Sequence, residues 1–137
     1  MRKVMCFGTF DLLHLGHLHY LQQAKKYGDY LIVIIARDKT KKIQKKPIIF
    51  NEKERQHLLQ SLKVVDKAVL GNYDNHLKII LQHKPDILCL GYDHKITISK
   101  LKELLEKHHL HPLIKRISAY NPMRQKSTKL KQKILRL

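Results

Sequence analysis

Lys3-Val4-Met5-Cys6-Phe7-Gly8-Thr9-Phe10-Asp11-Leu12-Leu13-His14-Leu15-Gly16-His17 is the stretch on which the fold turns. An apolar run, Lys3–Phe7, meets Gly8-Thr9, and a helical pattern begins a few residues later. Strand, tight glycine turn and helix start together present unpaired backbone N–H groups and a positive dipole end to an anion. His14 and His17 are three residues apart, so on a first helical turn they sit side by side on one face. Two imidazoles and a helix N-terminus aimed at one point suit a phosphate whose negative charge grows during reaction. Asp11 is placed to cap the helix or to close an Asx-turn, and it enters the site as an organiser of the turn. A single histidine at a helix start usually caps or faces solvent. The register of Gly8, Asp11, Gly16 and His17 behind a strand is what turns the reading toward a site.

Outward from this stretch, five short β-like runs alternate with helical patterns. The strands are expected at Lys3–Phe7, Tyr30–Ala36, Lys67–Leu70, Ile87–Leu90 and Leu113–Ile117. Tyr30–Ala36 is continuously apolar, as in a central parallel strand covered on both faces. The first helix aligns Leu18, Leu21, Ala24 and Tyr27 and ends near Gly28 as a C-cap. A second starts at Asn51 with Glu54 completing a capping box, and turns Leu58, Leu59 and Leu62 inward. A third covers about 75–83, stopping before Pro85, a fourth about 99–108 with Leu101, Leu104 and Leu105 inward, and a last about 126–136. The alternation predicts an α/β fold: a single domain, 1–137, with a Rossmann-like open parallel sheet of about five strands and helices on both faces. Ligands of such sheets bind outside the strand carboxyl ends at the topological switch point.

Length and composition agree. The 137 residues suffice to bury a real core, and 43% hydrophobic content argues against disorder. No apolar run approaches the ~20 residues that span a bilayer, and Met1-Arg2-Lys3 leads straight into a strand with no signal-peptide pattern. Cys6 and Cys89 each lie in an apolar run and read as small buried thiols, which points to a reducing cytoplasm. The formal charge of +17 calls for an anionic partner. It concentrates in 37–46, where six basic residues accompany Asp38 alone, and in 121–137, which has no acid. Neither segment contains the aromatics that nucleic-acid readers interleave with such runs, so a basic nucleic-acid-binding module is the lesser reading. Of the ten histidines, His108, His109 and His111 look ligand-like but lack a cysteine or carboxylate at zinc spacing. No metal site is expected.

Three further stretches fall on the same rim. Gly91-Tyr92-Asp93 follows a strand as Gly8-Thr9 does. Gly91 permits close backbone approach, and Asp93 can accept from a ribose hydroxyl or a base amine. Lys126-Ser127-Thr128 opens the last helix, where Ser127 and Thr128 cap it or hold a phosphate, with Arg124 nearby. The 37–46 loop is where a lid would sit. Lys46 is expected to close over the phosphates while its neighbours steer anions inward.

The pattern G-T-F-D-x-x-H-x-G-H at 8–17 resembles the signature of the HxGH nucleotidyltransferase superfamily, in its cytidylyltransferase-like branch. Nearly the whole chain is similar to archaeal-type FAD synthetases, through 24–38, Lys46-Pro47-Ile48-Ile49, 65–71 and 84–93. That resemblance implies transfer of AMP from ATP to FMN with release of pyrophosphate, and Mg²⁺ or another divalent cation accompanying the triphosphate. It also implies backbone contacts to ATP at Thr9 and Phe10, phosphate contacts from His14-Leu15-Gly16-His17, and nucleotide contacts at Asp93 and Tyr120. The rival is glycerol-3-phosphate cytidylyltransferase, which carries R-T-E-G-I-S-T before its last helix. Here only Arg124 and Ser127-Thr128 survive of that segment. ATP and FMN are the expected partners, with no specific nucleic acid and no membrane span. A homodimer is left open.

Overall fold

The computed structural model describes residues 1–45, 47–72, 77–92, 94–119 and 127–135. Its centre is a five-stranded parallel sheet of β1 (Lys3–Gly8), β2 (Tyr30–Ile35), β3 (Lys67–Leu70), β4 (Ile87–Leu90) and β5 (Leu113–Arg116), in the order β3-β2-β1-β4-β5. The chain steps outward from β1 first on one side and then on the other, so the switch point lies between β1 and β4. β2 is interior, as its apolar run requires, but β1 holds the middle.

Helices cover both faces. α1 (Leu15–Lys25) and α3 (Glu52–Gln60) pack Leu21, Ala24 and Leu59 against Val4, Cys6, Leu31, Val33 and Ile35. On the other face α4 (Leu77–His83) and α5 (Ile98–Glu106) bring Ile79, Ile80, Leu101 and Leu105 onto Met5, Ile32, Ile34, Leu88 and Ile114. Alternate strand residues feed the two clusters, which is the period-two signature of a strand buried on both sides. α6 (Ser127–Leu135) closes the described chain. Cys6 and Cys89 are buried free thiols opposite each other in register on β1 and β4.

Several local expectations need correction. Asp38–Ile43 forms a further helix, α2, within the stretch read as a loop. Asp38 in its first turn and Lys41 and Lys42 in its last suit the dipole, but six residues carry no apolar stripe to announce it. Gly28 is not the C-cap of α1; Lys26 is. A Cβ at Gly28 would meet Arg2 O at 2.6 Å, so the glycine serves the close approach of the chain entering β1. Leu58 and Leu104 are exposed, and Tyr27 sits at the edge. In α3 the inward stripe is Arg55 and Leu59, four residues apart.

Candidate active site

The rim at the carboxyl ends of the strands is organised by a buried arginine. Arg55 has no exposed surface and donates to Phe50 O (3.0 Å), Thr9 O (2.8 Å), Ala36 O (2.8 Å) and Asp38 Oδ1 (2.6 Å). It thereby ties the turn after β1 to the end of β2 and to the segment before α3. Glu52 accepts from Arg37 (2.9 Å) and from Asp38 N (2.9 Å), and Arg37 Nε reaches Gly71 O beyond β3 at 2.8 Å. Arg37 and Asp38 are therefore structural members of the rim, not the free charges of a lid. Asn51 and Glu54 form the expected capping box that starts α3 and aims Arg55 inward.

Over this base the 8–17 turn is strained and tightly held. Phe10 and Leu12 adopt φ of 56° and 46°, left-handed values that cost a non-glycine residue about 1–3 kcal/mol each. Gly8 has no such φ. Its role is spatial, because a Cβ there would meet the Phe10 ring at 2.7 Å. Asp11 is 2% exposed and accepts from Ile49 N (2.8 Å) and Phe50 N (2.9 Å), with Lys131 Nζ of α6 at 2.6 Å. It does not cap α1. It joins the motif, the 47–50 segment and α6. Burial pushes the Asp11 pKa up, but Lys131 and the two N–H groups outweigh that and hold it below the ordinary carboxylate value.

α1 begins on a pair of histidines. His14 is the N-cap, and its Nδ1 accepts from Gly16 N at 3.0 Å. His17 Nδ1 accepts from His14 N at 3.2 Å, closing a capping box built of imidazoles. The rings stack with centroids 3.9 Å apart, and His17 also rests against the edge of Phe10. With both Nδ1 atoms accepting, the neutral rings carry their protons on Nε2. Among the described residues, His14 Nε2 is buried and has no hydrogen-bond partner. A buried N–H left over in a strained turn at a helix start is a donor that can serve an anion. The backbone N–H groups of His14 and Gly16 are not open to that anion as expected, because the imidazoles take them.

Burial lowers the His14 pKa and, with His14 beside it, takes His17 down to about 3, against a weaker pull upward from Asp11. Both rings are neutral at pH 7. His17 then binds a proton in the unfolded chain below its ordinary value near 6.5 but not in the folded one until about pH 3. Stability should therefore fall as pH drops from 6.5 toward 3 and stay level above 6.5. Thermal melts at pH 7 and pH 4.5 check this. His17→Asn should flatten the difference, and an unchanged slope would show that the ring is not held neutral.

Across the crevice, Gly91 N donates to His94 Nδ1 at 3.0 Å, and Arg116 clamps Gly91 O, His94 O and Ile96 O at 2.9, 2.9 and 2.6 Å. The structure thus places Gly8, Thr9, Phe10, Asp11, His14, Leu15, Gly16, His17 and Gly91 on one rim. Lys131 brings α6, which Ser127 and Thr128 open, against it. Lys46, Asp93, Tyr120 and Arg124 lie outside the described residues. Sequence reasoning missed Arg55, Arg116 and Lys131. A charged residue on the inward stripe of α3 was the available signal for Arg55. Among the described residues no three His, Cys, Asp or Glu side chains gather to hold a metal, and no helix is long and apolar enough to cross a membrane.

Residues 5–133 match the cytidylyltransferase-like family model. The chain is 43% identical over all 137 residues to a protein named FAD synthase from Thermoplasma volcanium, covering 96% of it. It is 46% identical over 119 residues to the FAD synthase of Archaeoglobus profundus, covering 87% of this chain and 76% of that one. A solved structure named a lipopolysaccharide core biosynthesis protein, from Thermoplasma volcanium, superposes with a TM-score of 0.86 at 46% identity over 88% of this chain and 98% of that one. Pantoate-beta-alanine ligase from Francisella tularensis shares the fold alone, with a TM-score of 0.67 at 18% identity over 96% of this chain and 65% of that one.

Proposed function

We propose, from the premise that this chain belongs to the cytidylyltransferase-like family, that it is a nucleotidyltransferase that moves AMP from ATP to FMN and releases pyrophosphate. Full-length identity to proteins named FAD synthase supports that choice of substrates over glycerol 3-phosphate and CTP. The observation that carries the chemistry is the stacked, neutral His14–His17 pair, with His14 Nε2 unpartnered at the start of α1 beside the switch point.

The acceptor phosphate attacks the α-phosphorus in line, with no covalent enzyme intermediate. Charge builds on the departing pyrophosphate. The Nε2–H groups of His14 and His17 and the positive end of α1 meet it there, so catalysis is positioning plus charge stabilisation. Neutral imidazoles suit this role, because Nε2–H can donate to the phosphate while Nδ1 remains an acceptor in the cap of α1. Thr9, Phe10, Leu15, Gly16, Gly91 and Asp93 line the nucleotide side in this reading. Ser127, Thr128 and Arg124 meet the phosphates, and Lys46 closes over them. A divalent cation would accompany the triphosphate and neutralise part of its charge, with no described side-chain cluster required to hold it. Two buried free thiols support a cytoplasmic setting.

Purified protein should release pyrophosphate from ATP and Mg²⁺ only when FMN is supplied. A matrix of ATP and CTP against FMN, glycerol 3-phosphate and a sugar phosphate decides the matter. Release with CTP and glycerol 3-phosphate, and none with ATP and FMN, would overturn the assignment.

A further inference from the structure

β4 ends at Leu90, and the chain must then turn from the carboxyl end of the sheet toward the start of α5. It does so around one guanidinium. Arg116, the last residue of β5, stands opposite Leu90 in the register. Its Nη1 donates to Gly91 O and His94 O, both at 2.9 Å, and its Nη2 donates to Ile96 O at 2.6 Å. Carbonyls of three residues within 91–96 therefore converge on a single cation. The turn is also closed on itself: His94 N donates to Gly91 O at 3.2 Å, and Gly91 N donates to His94 Nδ1 at 3.0 Å. A turn that gathers carbonyl oxygens gathers partial negative charge, and a delocalised cation on a planar fork answers several of them at once. The base of Arg116 is fixed as well. Ile117 N donates to Leu90 O at 2.8 Å, so the main-chain bonding of β4 to β5 continues past the residue that bears the guanidinium. Beyond the turn, Thr97 caps α5 by accepting from Lys100 N at 3.2 Å.

We infer that Arg116 is a positioning residue: by gathering the carbonyls of Gly91, His94 and Ile96 it fixes the turn that borders the nucleotide crevice, and so sets the affinity for ATP. This rests on the reading of that crevice as the ATP site. An arginine at the rim of a phosphate-binding fold is ordinarily read as a phosphate ligand. Here the fork is turned onto the main chain instead. The turn leaves β4 beside the switch point, where ligands of such sheets bind, and Gly91 is its buried first residue. A shift of the turn moves main chain at the nucleotide's edge, while His14 and His17 stay in place at the start of α1. Binding therefore suffers more than the chemical step.

The test is Arg116→Ala, with Arg116→Lys as the second variant. Amide hydrogen exchange without nucleotide reads the turn, and ATP titration with steady-state kinetics reads the site. In Arg116→Ala the amides of Gly91 and His94 should exchange about tenfold faster or more. The Kd for ATP should rise about tenfold, the equivalent of one good hydrogen bond, and KM should rise more than kcat falls. Arg116→Lys keeps the charge but not the fork, and should show most of both changes. Guanidinium ion, well below the concentrations that unfold the protein, should restore both readouts in Arg116→Ala, and an equal concentration of sodium chloride should not. Weakened ATP binding with unchanged exchange at the turn would make Arg116 a direct phosphate ligand and overturn the inference. So would an unchanged ATP affinity in a folded Arg116→Ala. Wild type that fails to bind ATP at all would instead overturn the proposed function.

Discussion

Replacing His14 by asparagine should lower turnover by about a hundredfold and leave the melting temperature unchanged, because it removes one donor and keeps the cap. The two nitrogens of this ring have separate duties. Nδ1 caps α1 by accepting from Gly16 N, while Nε2 is buried and unpartnered. An asparagine Oδ1 reaches the position of Nδ1 and belongs to the preferred N-cap residues, but nothing in it reaches Nε2. Glutamine makes the converse change: its amide extends toward the Nε2 position and its cap is poorer. His14→Gln should lose about 1 kcal/mol of stability and keep more of the rate than asparagine does. Alanine would remove both functions at once, so it cannot separate them. His17 is no freer, since its ring lies between His14 and Phe10. Steady-state kcat at saturating ATP and FMN, paired with thermal melts, checks the set. Full turnover in a well-folded His14→Asn would remove His14 from the chemistry.

The backbone architecture was legible in the sequence because its signals are local and repeated. Five apolar runs with turn chemistry at their carboxyl ends predict five strands, and the described strands differ from them by a residue at most. The Asn51–Glu54 capping box is found as expected, since both halves of the signal lie within four residues. What stayed hidden depends on distance along the chain. Arg55 meets Thr9, 46 residues earlier in the chain, and Lys131 meets Pro47, 84 residues earlier. No periodicity announces such contacts. The division of duty within each imidazole was also illegible. Spacing places His14 and His17 together, but only the fold shows that their Nδ1 atoms take the N–H groups the helix was expected to offer an anion.

The largest expected loss of stability follows removal of Arg55. Its guanidinium is fully buried and makes four hydrogen bonds, three of them to main-chain carbonyls. Asp38 is 41% exposed, so water screens the ion pair itself and Asp38→Asn should cost at most about 1 kcal/mol. The carbonyls have no such recourse. Arg55→Met fills most of the volume and leaves Thr9 O, Ala36 O and Phe50 O without their donor, which should cost about 3–5 kcal/mol. That is a large share of the 5–15 kcal/mol that holds a domain of ordinary stability together. Arg55→Lys should recover little, because a single ammonium cannot serve a fork of four acceptors spread over the 9–10 turn, the β2 end and the 50–51 link. Turnover should fall as well in the molecules that remain folded. Thr9 O is the anchor just before Phe10, and a left-handed Phe10 persists only while its surroundings over-determine it. Urea denaturation gives the first quantity and kcat at low temperature the second. A midpoint shift equivalent to under about 1 kcal/mol in Arg55→Met would mean that water or a rearranged Asp38 replaces the guanidinium, and that the motif does not need its buried tie.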